Sequence, residues 1–263
     1  MPRIGWGIRN LRTAVIPPIE VVEAAPPVKK LTRKCYLDKN YHYDEDLKKN
    51  VHPESKMAHE YLDGLCGVEI GAAAYAPFGL KTINVGLSEE MDPNDYNKYK
   101  NHQISVTGDY ARIDVPGNAM NLINITDASV DFVITSHVWE HMDNPLLDLV
   151  EWSRKVKLGG FLFIMIPNRV AYPPDRVRPL TNIEQIKRKY NHPNSTTIAD
   201  GMPPDSREHW VVWSTSVVTQ AVHYFNSVNP SRLFLDMVAY REIDDKIQLG
   251  PQIVLRVLSK KPE

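Results

Sequence analysis

Cysteine is nearly absent from this chain. Cys35 and Cys66 are the whole complement, and no C-x-x-C spacing exists. A zinc ribbon or finger is thereby excluded, and the fold has no disulfide framework to depend on. A reducing, cytoplasmic setting is the expectation that goes with so few thiols. Long apolar runs are missing too. The longest, Phe161 to Ile166, falls far short of the roughly 20 residues that a membrane-spanning helix needs. The first thirty residues lack the charged start, apolar centre and small-residue cleavage site of a secretory leader. Charge of one sign is lacking as well: 31 Lys and Arg stand against 32 Asp and Glu, a net of −1. No electrostatic footprint for nucleic acid or for an anionic membrane follows from that balance. The basic run Lys187-Arg188-Lys189 has no aromatics interleaved and reads as a solvated helix face.

What is present is core-forming material. At 263 residues and 43% hydrophobic content, the chain suits one α/β domain with additions. Residues 1–60 are Pro-rich and then polar, and read as an N-terminal arm or cap with one helix around Glu54 to Leu62. Residues 61–263 read as the main domain. Apolar runs at Gly67–Gly71, Ile83–Leu87, Asp131–Ser136 and Phe161–Ile166 have the near-continuous character of strands buried on both faces. A further strand is expected near Gln103–Val106 or Arg112–Val115. Only about a dozen residues separate the first two runs, so any crossover helix there must be very short.

Asp143-Asn144-Pro145 supplies a cap and first-turn proline for a helix. Leu146, Leu149, Val150 and Val156 form its expected buried stripe, and Gly159-Gly160 is its expected stop. Residues 168–213 form an insertion rich in Pro, Asn, Asp and His; a loop of such length inside a compact domain usually serves function. After it, Ser214 or Thr215 can cap a helix carrying Val217, Val218, Ala221, Val222 and Phe225 on one side. Two strand-like runs, about Leu233–Arg241 and Ile253–Ser259, close the chain around the turn-rich Asp244-Asp245-Lys246.

Each early apolar run stops at residues suited to meeting a ligand. Gly71 ends the first, within Gly67-Val68-Glu69-Ile70-Gly71-Ala72-Ala73. Gly86-Leu87-Ser88-Glu89 ends the second. Ser136-His137-Val138-Trp139-Glu140-His141 ends the run that starts at Val130. Ligands of open α/β sheets bind outside the carboxyl ends of the strands. In order and wording these segments resemble class I S-adenosylmethionine-dependent methyltransferases. The run Ala76-Pro77-Phe78-Gly79-Leu80-Lys81-Thr82 is similar to a subgroup found in cell-surface sugar and secondary-metabolite pathways.

The resemblance implies a Rossmann-like fold: a mostly parallel seven-stranded sheet, a C-terminal antiparallel hairpin and helices on both faces. It also implies S-adenosyl-L-methionine as cofactor and a small-molecule acceptor, with no nucleic acid and no membrane as partner; a homodimer is an open option for the assembly. Glu69, Gly71 and Ala72 fall where the family meets the methionine moiety, Asn118 and Ala119 where it meets the adenine, and Ser136 and His137 beside the sulfonium. Two family residues are replaced. Ala73 stands where a second glycine is usual. Gly86 stands where an acid normally binds the ribose diol, which shifts that expectation to Ser88 or Glu89, with Glu89 first. A methyl acceptor needs a base near neutral pH, and histidine suits that task. His209, in Ser206-Arg207-Glu208-His209-Trp210, is the first choice for base, with His137 and His141 as the others. His137 and His141 stand at i, i+4 around Glu140, but a third ligand and the H-E-x-x-H order are both missing. No metal is therefore expected.

Overall fold

The computed structural model describes residues 55–72, 78–107, 110–111, 113–194, 209–229 and 231–260. Expectations for residues 1–54, for Ala73 and for the 195–208 part of the insertion lie outside them. The chain opens with helix α1 (Lys56–Leu62) and strand β1 (Gly67–Ile70), then β2 (Thr82–Gly86) and α2 (Pro93–Thr107). Short β3 (Val115–Pro116), β4 (Val130–Ser136), α3 (Pro145–Lys155) and β5 (Val156–Met165) follow. Helices α4 (Ile183–Asn191) and α5 (Thr215–Val228) precede the closing strands β6 (Leu233–Arg241) and β7 (Gln252–Ser259).

The seven strands lie in the order β3-β2-β1-β4-β5-β7-β6. The first five run parallel, and β7 is antiparallel to both β5 and β6. This is the architecture expected from the sequence. Side chains alternate across each strand, so β4 and β5 feed two cores. Val133, Leu162 and Ile164 pack under α3, α4 and α5. Phe132, Ile134, Phe163 and Met165 pack against α1 with Phe78 and Leu80.

Helix α5 forms as anticipated: the Ser214 hydroxyl accepts from the Val217 N–H, and all five named apolar residues are buried. For α3 the picture changes. Pro145 takes the first turn, but Asn144 makes no side-chain cap. The helix is held by burial of Leu146, Leu149 and Trp152, each contributing about 1.5–3 kcal/mol, more than the ~1 kcal/mol of a cap. It stops at Lys155 without a glycine. Val156 already belongs to β5, and Gly159-Gly160 lie within that strand rather than closing the helix.

The candidate strand at Gln103–Val106 is part of α2, and the alternative ending at Val115 touches the real β3. Lys189 is not solvated: it is buried, with its ammonium 2.5 Å from Asp143. Cys66 is disulfide-bonded rather than a free thiol, so the cysteines give no argument for a reducing compartment. Among the described residues, no helix is long and apolar enough to cross a membrane.

The hairpin loop is organised by one buried carboxylate. Asp244 Oδ1 accepts from the N–H groups of Lys246, Ile247 and Gln248, at 3.0, 2.6 and 3.0 Å. Its Oδ2 accepts from Leu249 and Gly250, at 2.8 and 3.2 Å. Next to it, Asp245 receives the Ser55 hydroxyl and the Met57 N–H at 2.6 and 3.0 Å, tying α1 to the hairpin. Substituting Asp244→Ala strands donors that water reaches poorly. The expected loss is about 3 kcal/mol, read as a lower urea midpoint with an unchanged m-value.

Candidate active site at the sheet's switch point

Strand order reverses between β1 and β4, which places the crevice of the sheet at their carboxyl ends. Ile70 pairs with Thr135, so Gly71 and Ser136 come next to each other along the two strands. Gly71 has φ +73°, and a Cβ there would lie 2.7 Å from Val138 Cγ2. Both its backbone conformation and its surroundings require glycine. His137 sits in the left-handed region too, at φ +55°, which is uncommon outside glycine and worth attention at a functional site. Its N–H donates to the Met165 carbonyl at 3.0 Å. The Ser136 hydroxyl is buried and has no hydrogen-bond partner among the described residues.

Ala72 is buried, and its carbonyl accepts from Gln103 Nε2 at 3.0 Å. Gln103 Oε1 in turn accepts from the Ala111 N–H at 2.5 Å. This one side chain of α2 fastens the segments that follow β1 and precede β3. Its polar helix offers no sequence signal for that role; only its burial shows it.

At the end of β2, a Cβ on Gly86 would meet Ile113 Cδ1 at 2.7 Å. The direction an acidic side chain would take is thus occupied by isoleucine. Two residues on, the Ser88 hydroxyl is buried without a partner among the described residues, whereas Glu89 is exposed. After β3, Asn118 Oδ1 accepts from the Met120 N–H at 2.9 Å in a turn, and the Ala119 carbonyl accepts from Trp152 Nε1 at 2.8 Å. Glu69 lies inside β1 on the opposite face from Val68 and Ile70. It is buried and receives the Thr82 hydroxyl at 3.4 Å.

Beyond β4 a short 3-10 turn, Trp139–His141, is fixed from two sides. Trp139 is fully buried, donates to the Pro145 carbonyl at 3.1 Å and stacks on Trp213 with centroids 4.2 Å apart. The Glu140 carbonyl accepts from the N–H groups of Trp210 and Val211 at 2.7 and 3.1 Å. Those bonds lay residues 209–213 against the turn and bring three imidazoles to the Glu140 carboxylate. His137 Nδ1 stands 3.4 Å from Glu140 Oε1, and the Nε2 atoms of His141 and His209 each stand 4.0 Å from it. Neither Glu140 oxygen has a hydrogen-bond partner among the described residues. Burial pushes this carboxyl up, but the three imidazoles outweigh it and hold the group below its ordinary value.

His209 is oriented by residues the sequence did not single out. Its Nδ1 is 2.5 Å from Asp175 Oδ2. Arg178 donates to Asp175 Oδ1 at 2.7 Å and to the His209 carbonyl at 2.6 Å, and the Tyr172 ring lies 4.3 Å from the imidazole. Pro173-Pro174-Asp175 announces a turn, but nothing local points to a histidine 34 positions away. All three candidate bases are thereby united in one cluster. The nucleotide-side candidates are spread over the ends of β1, β2, β3 and β4.

A parallel sheet with this strand order, an antiparallel hairpin and a glycine-lined switch point is the class I methyltransferase architecture. Residues 62–164, about two fifths of the chain, match the family model described as a methyltransferase domain. It is 26% identical over 121 residues to a probable S-adenosylmethionine-dependent methyltransferase of Mycolicibacterium smegmatis, covering 46% of this chain and 43% of that protein. A protein of Mycobacterium tuberculosis with the same description is 27% identical over 123 residues, covering 47% and 41%. The matched stretch therefore spans less than half the length of these relatives. Among solved structures, the PH0226 protein of Pyrococcus horikoshii superposes with a TM-score of 0.45 at 13% identity, covering 76% of this chain and 85% of that one.

Glu69 gives a pH-dependent prediction. Burial pushes its pKa up to about 7, against the lowering influence of Lys246 and the Thr82 hydroxyl. The folded state thus holds this proton more tightly than the unfolded chain does. The stabilisation is complete below the unfolded value near 4.5 and is lost as pH rises through about 7. Glu69→Gln cannot ionise, so its Tm relative to the parent should climb between pH 4.5 and pH 8 in thermal unfolding. A constant difference across that range would show that Glu69 does not titrate there.

Proposed function

We propose that this chain binds S-adenosylmethionine across the carboxyl ends of β1–β4 and transfers its methyl group to an oxygen or nitrogen of a small molecule. The observation that carries the reading is the switch point. A glycine that tolerates no side chain adjoins a buried, unsatisfied serine hydroxyl, and both precede a cluster of histidines. Glu69, Gly71 and Ala72 flank the methionine moiety in this reading, Asn118 and Ala119 the adenine, and Ser136 and His137 the sulfonium. The diol falls to Ser88, whose buried hydroxyl lacks a partner among the described residues, ahead of the exposed Glu89.

Methyl transfer is a direct displacement: the bond from acceptor to carbon forms as the carbon–sulfur bond breaks, and the electron pair stays on sulfur. The protein's work is alignment, exclusion of water and acceptance of the acceptor's proton. Asp175 holds His209 by Nδ1, which directs Nε2 into the cluster beside His141 and His137; the proton-accepting group is one of these three imidazoles. A sugar, nucleotide-sugar or natural-product acceptor rests on the likeness of residues 76–82 to the subgroup with those substrates.

A second reading has one observation in its favour. Ile113 fills the direction of the missing acid, as it would in a methyltransferase fold kept as a partner or scaffold after losing ribose binding. Titration calorimetry with S-adenosylhomocysteine separates the two. Saturable binding, weakened about tenfold by Ser88→Ala (roughly one hydrogen bond) and unchanged by Glu89→Ala, is expected of the enzyme. No binding at high micromolar ligand sinks that reading.

A further inference from the structure

Along the chain Glu140 and His141 stand side by side, and a metal site built on these two donors needs a third. In the folded chain the missing donor arrives from a distant segment. Glu140, His141 and His209 each present a ligand atom, and these atoms all lie within 4.8 Å of one another. We propose that Glu140, His141 and His209 form a binding site for a divalent transition-metal ion of the zinc class.

Four observations carry this. The first is the spacing. His141 Nε2 and His209 Nε2 each lie 4.0 Å from Glu140 Oε1, too far for a hydrogen bond. Donors about 2.1 Å from a tetrahedral zinc lie about 3.4 Å apart, so small side-chain rotations close the site on an ion. A direct imidazole–carboxylate hydrogen bond, about 2.8 Å long, would need about twice that contraction.

The second is Glu140 itself. Its side chain is 1% exposed, and the nearest group to its oxygens, His137 Nδ1 at 3.4 Å, falls short of a well-formed hydrogen bond. A buried carboxylate needs a compensating cation. The third is the tautomer of His209. Asp175 at 2.5 Å from Nδ1, itself braced by Arg178, leaves Nε2 as the lone-pair nitrogen facing the site. A carboxylate behind an imidazole is the usual support of a metal-bound histidine. The fourth is the donor set. Two imidazoles and one carboxylate suit zinc-class ions rather than magnesium or calcium, which take oxygen ligands.

Three protein donors leave a tetrahedral ion one open position, the arrangement of sites that act on a substrate. On the methyl-transfer reading above, that position receives the acceptor's hydroxyl. The ion lowers the hydroxyl's pKa, and the proton passes to His137, the imidazole outside the donor set. The oxygen then takes the methyl carbon as the carbon–sulfur bond breaks. This role rests on the proposed function; the binding site itself does not.

The test is a zinc titration of the metal-stripped full chain against a chromophoric chelator, paralleled by the visible spectrum with Co2+. One ion per chain and the intense bands of a tetrahedral Co2+ complex are expected. Glu140→Gln, His141→Ala and His209→Ala should each weaken zinc at least about tenfold, and Asp175→Asn by about 10–100-fold through its hold on His209. His59→Ala, outside the cluster, should leave affinity unchanged, and circular dichroism checks that each variant is folded. Zinc binding absent at micromolar ion, or unaltered in folded variants of all three donors, overturns the site. S-adenosylhomocysteine binding to the metal-stripped chain is read separately. Its failure removes the methyltransferase reading while leaving the metal site standing, and its success beside absent zinc does the reverse.

Discussion

The cluster of side chains at the carboxyl end of β4 depends on how one short turn, Trp139–His141, is held. Two kinds of force act on it. The Trp139 ring is sealed in the core against Trp213 and Trp152, and the Glu140 carbonyl takes two backbone N–H groups from residues 210 and 211. Aromatic burial fixes where the turn sits, and the paired hydrogen bonds fix the register of the segment laid against it. With both in place, a carboxylate and imidazoles from sequence-distant segments are brought into one largely buried cluster. Neither force alone would suffice. Stacking without the carbonyl bonds lets residues 209–213 slide, and the bonds without the stack leave the turn free to swing.

The end of β2 shows a second constraint at work. Gly86 is more than an acid that has been deleted, because Ile113 takes up the volume in front of it. The loop before β3 has moved in, and Asp114 locks it there by accepting from the Asn84 N–H while its own N–H returns to the Asn84 carbonyl. A side chain added at position 86 would require Ile113 to swing its Cδ1 aside. Two residues further along, Ser88 keeps a buried hydroxyl.

Much of the fold was legible because buried parallel strands and amphipathic helices write their period directly into sequence. Helix α5 and the terminal hairpin were read nearly to the residue from alternation and a capping serine. The misreadings share a cause: local signals outweighed by tertiary packing. Gly159-Gly160 looks like a helix stop, but α3 ends where the sheet captures Val156. Lys189 looks solvated, but it is buried and pairs with the partly exposed Asp143. At the site, His137, His141 and His209 stood out by residue type. Their convergence on Glu140, and the roles of Asp175, Arg178 and Gln103, did not. These depend on contacts between segments far apart in the chain, which no local pattern encodes.

The direct passage from α3 into β5 has a consequence for how the domain can vary. Lys155 is the last helical residue and Val156 the first of the strand, so no slack separates them. β5 is shared by the parallel half of the sheet and by the terminal hairpin. Just beyond the junction the pairing is irregular: Val156 faces Val130 while Phe161 already faces Phe132. An extra residue before Phe161 meets this irregular stretch, whereas one inserted after Phe161 would turn inward side chains outward toward both partner strands at once. Phe161–Met165, paired on both edges, is the datum from which the parallel half and the hairpin take their alignment.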